Sequence, residues 1–382
     1  MSHVLIETQS EFEELILTLL DQPRYAFDTE FHRERTYFPK LALAQFGWPG
    51  GIALVDPFKV DFSALRPLLE SDTVAVLHAA QQDLDVLTHS CGAVPNKMFD
   101  TQIAAGFIGY SSPSLSNLLH GEMRLAVPKG DRLTDWLRRP LSADQRTYAA
   151  SDVAHLLELQ DRIEAQLTAL GRIDWAAEVC EELRLKPASG TDPDGAWLRL
   201  KDVRTLKPKA RGVAQALAAW RERRAMSIDS PVRQVLPDLA ILGISQKQPR
   251  SVEELSQSRG IDERHWRGNQ GKEIIAAVSA GLQAEVQLPA AEGDELDRNL
   301  RPAITLVSAW VSELSRQEKI DTTLLATRSD IVSLLRHDPD ARLSSGWRAA
   351  LLGDKVQRLV DGRAGLTFDG RGGLRLIDVP GE

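Results

Sequence analysis

The sequence predicts an α/β domain built on a mixed sheet, followed by two small all-α domains, and three observations carry that reading. From Tyr25 to about residue 80, short apolar runs alternate with turn signals. YAFDTE, LALAQFGW and GIALVDP read as successive strands, FSALRPLLES as a helix and TVAVLHA as a buried strand. Three adjacent strands without helices between them imply hairpins, and a helical region after them implies helices laid on a mixed sheet. Beyond Ala79 the patterns become helical, ending in a long helix from Ser142 to about Leu170. Ser142 is its expected N-cap, with Gln145 three positions on completing a capping box. The third observation is KPASGTDPDG (186–195), a Pro, Gly and Asp-rich hinge after which the pattern is mainly helical to the end.

These signals divide the chain into a first domain over 1–175, a connecting segment over 176–206, a helical domain over 207–287, a linker over 288–297 and a second helical domain over 298–380. The helical domains look like duplicates. Ala219-Trp220 matches Ala309-Trp310, and after a two-residue insertion Ile228, Asp229, Asp238 and Leu242 align with Ile320, Asp321, Asp330 and Leu334.

Composition excludes several classes. An apolar fraction of 43% and 26% charged residues is ordinary globular usage. No apolar run reaches membrane-spanning length, and MSHVLIETQS lacks a positive n-region, so a soluble cytoplasmic protein away from the membrane is expected. Cys91 and Cys180 match no zinc or redox spacing and are expected as buried thiols. The eight histidines form no HxxxH or HExxH pair. No G-x-x-x-x-G-K-[ST] run is present, which excludes a helicase motor of that type. Net charge is −8, yet Arg199 to Arg224 holds nine basic residues against two acids, a local +7 that points to nucleic acid.

Carboxylates carry the chemistry. Asp28 and Glu30, two apart at a strand end, share one face and can address one metal. In HAAQQDLDVL, Ala80, Leu84, Leu87 and Cys91 form an apolar stripe; Asp83 lies about 70° from its centre and Asp85 about 130°. Asp83 is therefore expected to look inward and Asp85 to be solvated. On the long helix Tyr148 and Asp152 are i and i+4, one turn apart on one face.

FDTEFHRERTYFPKLALAQF, HAAQQDL, FDTQIAA and DWLRRPLSADQRTYAASDV resemble the motifs of DEDD exonucleases of the tyrosine-containing subclass, and within it the ribonuclease D family. The resemblance covers about residues 1–175 and implies the ribonuclease H-like exonuclease fold. The helical repeats resemble HRDC domains. LAAWRERRAMSIDSPVRQVLPDLAI and PRSVEEL fit that pattern, whereas the second repeat departs from it with Thr323 in place of Pro231 and a shorter later part.

The activity implied is 3′-5′ removal of nucleotides from RNA as 5′-monophosphates, with transfer-RNA precursors bearing a free 3′ end as the substrates the resemblance favours. A DNA exonuclease of the same fold and a non-catalytic RNA-binding scaffold are the alternatives. Two metal ions about 4 Å apart suit phosphodiester hydrolysis, and Mg²⁺ or Mn²⁺ prefer oxygen donors. By resemblance Asp28 bridges both ions, Glu30 and Asp152 complete the water-activating site, and Asp83 supports the second ion. Tyr148 would orient the attacking water, since a tyrosine hydroxyl with a pKa of about 10 is protonated at neutral pH. His32, Arg33, Tyr37 and Phe38 are candidates to stack on or steer terminal bases. His78, at a strand end, is a further candidate near the substrate, better suited to packing or hydrogen bonding than to ligation. Trp136, Arg138 and Arg139 are candidates for phosphate contact, and Asp100 is expected to cap the following helix.

Overall fold

The computed structural model describes residues 2–126, 134–188, 190, 192–288 and 300–379. Six strands form one sheet: β1 (Val4–Ile6), β2 (Arg24–His32), β3 (Lys40–Trp48), β4 (Gly51–Val55), β5 (Val74–Leu77) and β6 (Met98–Asp100), in the order β1-β4-β3-β2-β5-β6. β2, β3 and β4 are antiparallel neighbours, whereas β1 joins β4, β5 joins β2 and β6 joins β5 in parallel. The mixed sheet expected from the uninterrupted run of strands is therefore present.

Alternation along β2 sorts its side chains between two layers. Tyr25 and Phe27 enter a core with the helices Gln9–Leu20 and Gln81–Cys91, while Ala26 faces a second core containing Val153, Leu156 and Leu159. The expected long helix is two helices, Ala143–Ala154 and Leu156–Ala169, broken at His155. His155 leaves helical geometry at φ −119°, which ends one hydrogen-bond ladder and starts the next. Its capping box is as expected: Gln145 N–H donates to Ser142 Oγ at 3.1 Å and Ser142 N–H to Gln145 Oε1 at 2.9 Å.

The segment expected as a connector is mostly built into cores. In the helix Ile173–Arg184, Val179 packs on the cluster holding Leu159 and Ile163, and Leu183 on the cluster holding Phe27. Ala196, Trp197, Leu200 and Val203 belong to the first helical unit, whose core they share with Leu217, Ile241 and Ile274. Of the linker 288–297, residues 289–297 lie outside the described residues.

The last unit is not all-α. After the helices Arg301–Glu318 and Arg328–Leu335 it closes with an antiparallel hairpin, β7 (Ala364–Phe368) and β8 (Leu374–Asp378). Asp369 makes the turn, accepting from Arg371 N–H at 2.7 Å and Gly373 N–H at 2.9 Å. This unit does not keep its own core. Val307, Trp310, Leu314 and Trp347 join Phe107, Ile163 and Val179 of the α/β domain in one cluster. Trp347 stacks on Trp175 with ring centroids 5.0 Å apart. Arg348, 1% exposed, donates to Glu182 at 2.8 Å and to the Leu324 carbonyl at 3.0 Å, so its buried charge is paired.

Candidate active site

The site is assembled where β2, β3 and two helices converge. Asp28 and Glu30 leave β2 on the face of helix Ala143–Ala154, and a bulge between Glu30 and Phe31 ends the regular register there. That helix packs against the sheet where β3 carries Gly47 opposite Ala26. A Cβ on Gly47 would stand 3.1 Å from the Val153 carbonyl and 3.3 Å from Ala26 Cβ, so any side chain would push the helix outward. The close approach brings Asp152 to the strand, and carboxylate oxygens of Asp28, Glu30 and Asp152 lie within 4.8 Å of one another.

Asp83 arrives from the other layer. It occupies the first turn of helix Gln81–Cys91 and is 6% exposed, inward-facing as its helical angle predicts. Asp83 accepts a hydrogen bond from the Thr29 hydroxyl and stands outside the three-acid group. The turn that aims it is held by Asp100, whose carboxylate accepts from the N–H groups of Ala79 at 3.1 Å and Ala80 at 2.8 Å. Ala79 is in the left-handed region at φ 58°, a strained conformation for alanine that these bonds secure. Asp100 also caps its own helix through Gln102 N–H at 2.8 Å.

The electrostatics favour a cation. Burial first, then the charges of Asp83, Asp152 and Glu30, hold the Asp28 carboxyl well above the usual carboxylate range. Burial likewise pushes Asp83 up to about 7, against the hydrogen bond from Thr29. Crowded carboxylates with raised pKa values are stabilised by bound divalent ions, and an all-oxygen donor set fits Mg²⁺ or Mn²⁺ better than zinc. The donor set therefore fits the metals that the sequence implies.

Tyr148 lies one turn before Asp152, half-buried, its ring 6.1 Å from that of Trp136. Trp136 is 6% exposed and packs with Leu43 and Ala149, so it supports this helix and does not face phosphates. Arg139 is likewise structural. It donates to Asp56 at 2.6 and 2.9 Å and to the Ala42 carbonyl at 2.6 Å, and its guanidinium lies 4.6 Å from the Phe58 ring centroid. Arg138 beside it is exposed.

His78 is a packing residue: its Nδ1 is 2.9 Å from the Thr101 hydroxyl, which itself donates to the Leu77 carbonyl. Burial lowers its pKa. His32 is half-buried at the end of β2, opposite Lys40. Arg33 is 3.0 Å from Asp85. Asp85 is thus not solvated; its side chain is 11% exposed, between Arg33 and His89 Nε2 at 3.5 Å. Tyr37 turns away from the acids, its hydroxyl donating to Glu222 at 3.0 Å, and Phe38 packs on His89.

Three residues at the site escaped the sequence reading: Gly47, Thr29 and Gln45. Gln45 is fully buried directly opposite Asp28, and its amide has no hydrogen-bond partner among the described residues. A lone amide in the otherwise apolar LALAQFGW was the available signal.

Comparison with known proteins accords with this geometry. The 3′-5′ exonuclease family model matches residues 3–168 and the HRDC domain model residues 210–278. Ribonuclease D of Acidiphilium cryptum is 35% identical over 99% of this chain and 97% of its own length. Ribonuclease D of Jannaschia sp. is 33% identical over 98% and 99%. The crystal structure of Escherichia coli RNase D, described as an exoribonuclease involved in structured RNA processing, superposes with a TM-score of 0.84 at 29% identity, covering 95% of this chain and 99% of that one. With a ribonuclease D matched at 35% identity over nearly its whole length and the three-acid cluster in place on the expected fold, the chain belongs to the ribonuclease D family and is a 3′-5′ exoribonuclease.

Proposed function

We propose that the chain trims structured RNA precursors, transfer-RNA precursors foremost, one nucleotide at a time from a free 3′ end, releasing 5′-monophosphates. The observation that carries the reading is the convergence of Asp28, Glu30 and Asp152 within 4.8 Å beside the buried Asp83. Two Mg²⁺ or Mn²⁺ ions bound there would supply an activated water and a stabiliser for the departing 3′ oxygen. Asp28, Glu30, Asp83 and Asp152 are the residues that would hold them. Tyr148, one turn before Asp152 on the same helix, would orient the attacking water with its hydroxyl.

The similar E. coli RNase D, an exoribonuclease involved in structured RNA processing, supports the substrate class. Two buried free thiols, Cys91 and Cys180, suit a reducing cytoplasm, and among the described residues no helix is long and apolar enough to cross a membrane.

The test is digestion of one RNA labelled at its 3′ end and again at its 5′ end, with and without Mg²⁺ or Mn²⁺. Metal-dependent release of labelled mononucleotide from the 3′ end at once, with the 5′ label shortening stepwise, is the expected result. Early mononucleotide from the 5′ end, or internal fragments, contradicts it, and preferential digestion of the matching deoxy-oligomer contradicts the choice of RNA.

A further inference from the structure

The β2–β3 loop, residues 33–39, leaves the site three residues after Glu30 and is gripped from outside by the HRDC unit. The carboxylate of Asp229 accepts from two successive backbone N–H groups, Tyr37 at 3.0 Å and Phe38 at 3.1 Å. The Tyr37 hydroxyl donates to Glu222 at 3.0 Å, and Glu222, 6% exposed, is itself fixed by Arg199 at 2.7 Å. Burial, then the Glu222 charge, raises the Tyr37 pKa, so the hydroxyl stays protonated as a donor. Gly190 of the connecting segment lies against the same hydroxyl, where a Cβ would stand 2.8 Å from it. Asp229 makes its two bonds from a left-handed backbone at φ 45°, uncommon outside glycine and persistent where surrounding contacts enforce it.

The grip continues toward the acids. Phe38 packs on Tyr37 and on His89, His89 faces Asp85, and Asp85 pairs with Arg33 at 3.0 Å. The contacts thus end at Asp85, on the helix that carries Asp83, and at Arg33, which follows the strand that carries Asp28 and Glu30. Arg33 and Asp85 also line a cleft of about 1070 Å³ with Gln82, Lys186 and Arg342, bounded by all three parts of the chain other than the HRDC core. The loop contributes Arg33 to one wall of this cleft.

We propose that Asp229 and Glu222 are positioning residues through which the HRDC unit clamps the β2–β3 loop and fixes the wall along which the RNA 3′ segment enters. The clamp governs substrate affinity and leaves the chemical step to the acids; this rests on the exonuclease reading of the site given above. Asp229→Gly removes the acceptor and keeps the positive φ accessible, whereas Asp229→Asn keeps an acceptor in a residue that tolerates that backbone.

The experiment uses the full chain with Mn²⁺ and a short single-stranded RNA, together with amide hydrogen exchange of the peptide spanning residues 33–39. Asp229→Gly should speed exchange at Tyr37 and Phe38 and raise KM by about tenfold with kcat held within about twofold. Asp229→Asn and Glu222→Gln should stay close to wild type in exchange and in KM. Unchanged exchange in Asp229→Gly would remove the clamp from the solution structure. Faster exchange with unchanged KM, or a fall in kcat at constant KM, would overturn its role in RNA entry. If the wild-type protein hydrolysed no RNA, the exonuclease reading would fail, and exchange alone would still decide whether the clamp exists.

Discussion

The two units that follow the nuclease domain attach to it in opposite ways. Residues 196–288 keep a private core around Trp197, Leu217 and Ile274, and reach the nuclease domain through polar bonds such as that of Asp229 to the 33–39 loop. Residues 300–379 pool their core with it, through Trp310 and Trp347 against Phe107 and Ile163. The repeat-matched aspartates state the contrast in miniature. Asp229 is exposed and holds a loop, whereas Asp321 is 7% exposed, its N–H donating to the Gly106 carbonyl at 2.7 Å. A Cβ on Gly106 would meet Leu324 and Asp321, so glycine there permits the close docking. A unit that shares a core can only be lost with that core; a unit held by a few polar bonds can shift while both cores survive.

The largest effect should come from breaking the shared core. Trp347→Ala removes a ring packed on Trp175 and Phe107 and should destabilise nuclease domain and last unit together by about 3–5 kcal/mol. Trp197→Ala should cost about as much, but only within the HRDC unit. Calorimetry of both variants reads this: the nuclease transition should fall with Trp347→Ala and hold with Trp197→Ala. A chain ending near residue 190 should be unstable, because it exposes the surface that Trp310 and Trp347 cover.

A smaller effect concerns acid. Burial opposes ionisation of Asp321, but hydrogen bonds from Thr323 and Ser111 outweigh it and hold the carboxyl below its ordinary value. A depressed carboxyl contributes stability above its unfolded pKa of about 3.9, and that contribution is lost as pH falls through the lower folded value. Docking of the last unit should therefore weaken only below about pH 4, and Asp321→Asn should flatten the decline of melting temperature there. An unchanged profile would remove Asp321 from the docking energy.

The smallest effect tests the HRDC unit as an RNA-binding surface. Several cations of the +7 segment are already paired: Arg199 with Glu222, Arg221 with Asp238 and Arg223 with Asp194. Lys201, Lys207 and Lys209 are exposed on its edge. Replacing those three by alanine should make the salt dependence of RNA binding shallower by about 2 in log–log slope, if each meets a phosphate. A constant slope would make the segment an internal charge balance.

Legibility in the sequence followed the range of the interaction. Asp28 and Glu30 by strand alternation, Asp83 by helical angle, and the Ser142–Gln145 and Asp100 caps all depend on residues a few positions apart, and all stand as expected. β1 and β6, three residues each, are too short to give a periodic signal. Arg139 was assigned to phosphate because its partner Asp56 is 83 residues away. Gly47 acts through the Val153 carbonyl on a helix that the sequence does not place against it. The β7–β8 hairpin was readable, since Asp369-Gly370 lies between alternating apolar residues, but the helical context before it masked the change of period.

The proposed chemistry requires Asp28 to join Glu30 and Asp152 in one metal centre. The direct measurement is Asp28→Asn, followed by calorimetric Mn²⁺ titration, thermal melting and hydrolysis of 3′-labelled RNA at saturating Mn²⁺. The variant should melt at or above the wild-type temperature, because a buried carboxyl crowded by three others is relieved. It should bind Mn²⁺ more weakly and lose about 10³-fold or more in turnover. Near-wild-type hydrolysis by the folded variant at saturating Mn²⁺ would contradict the metal centre.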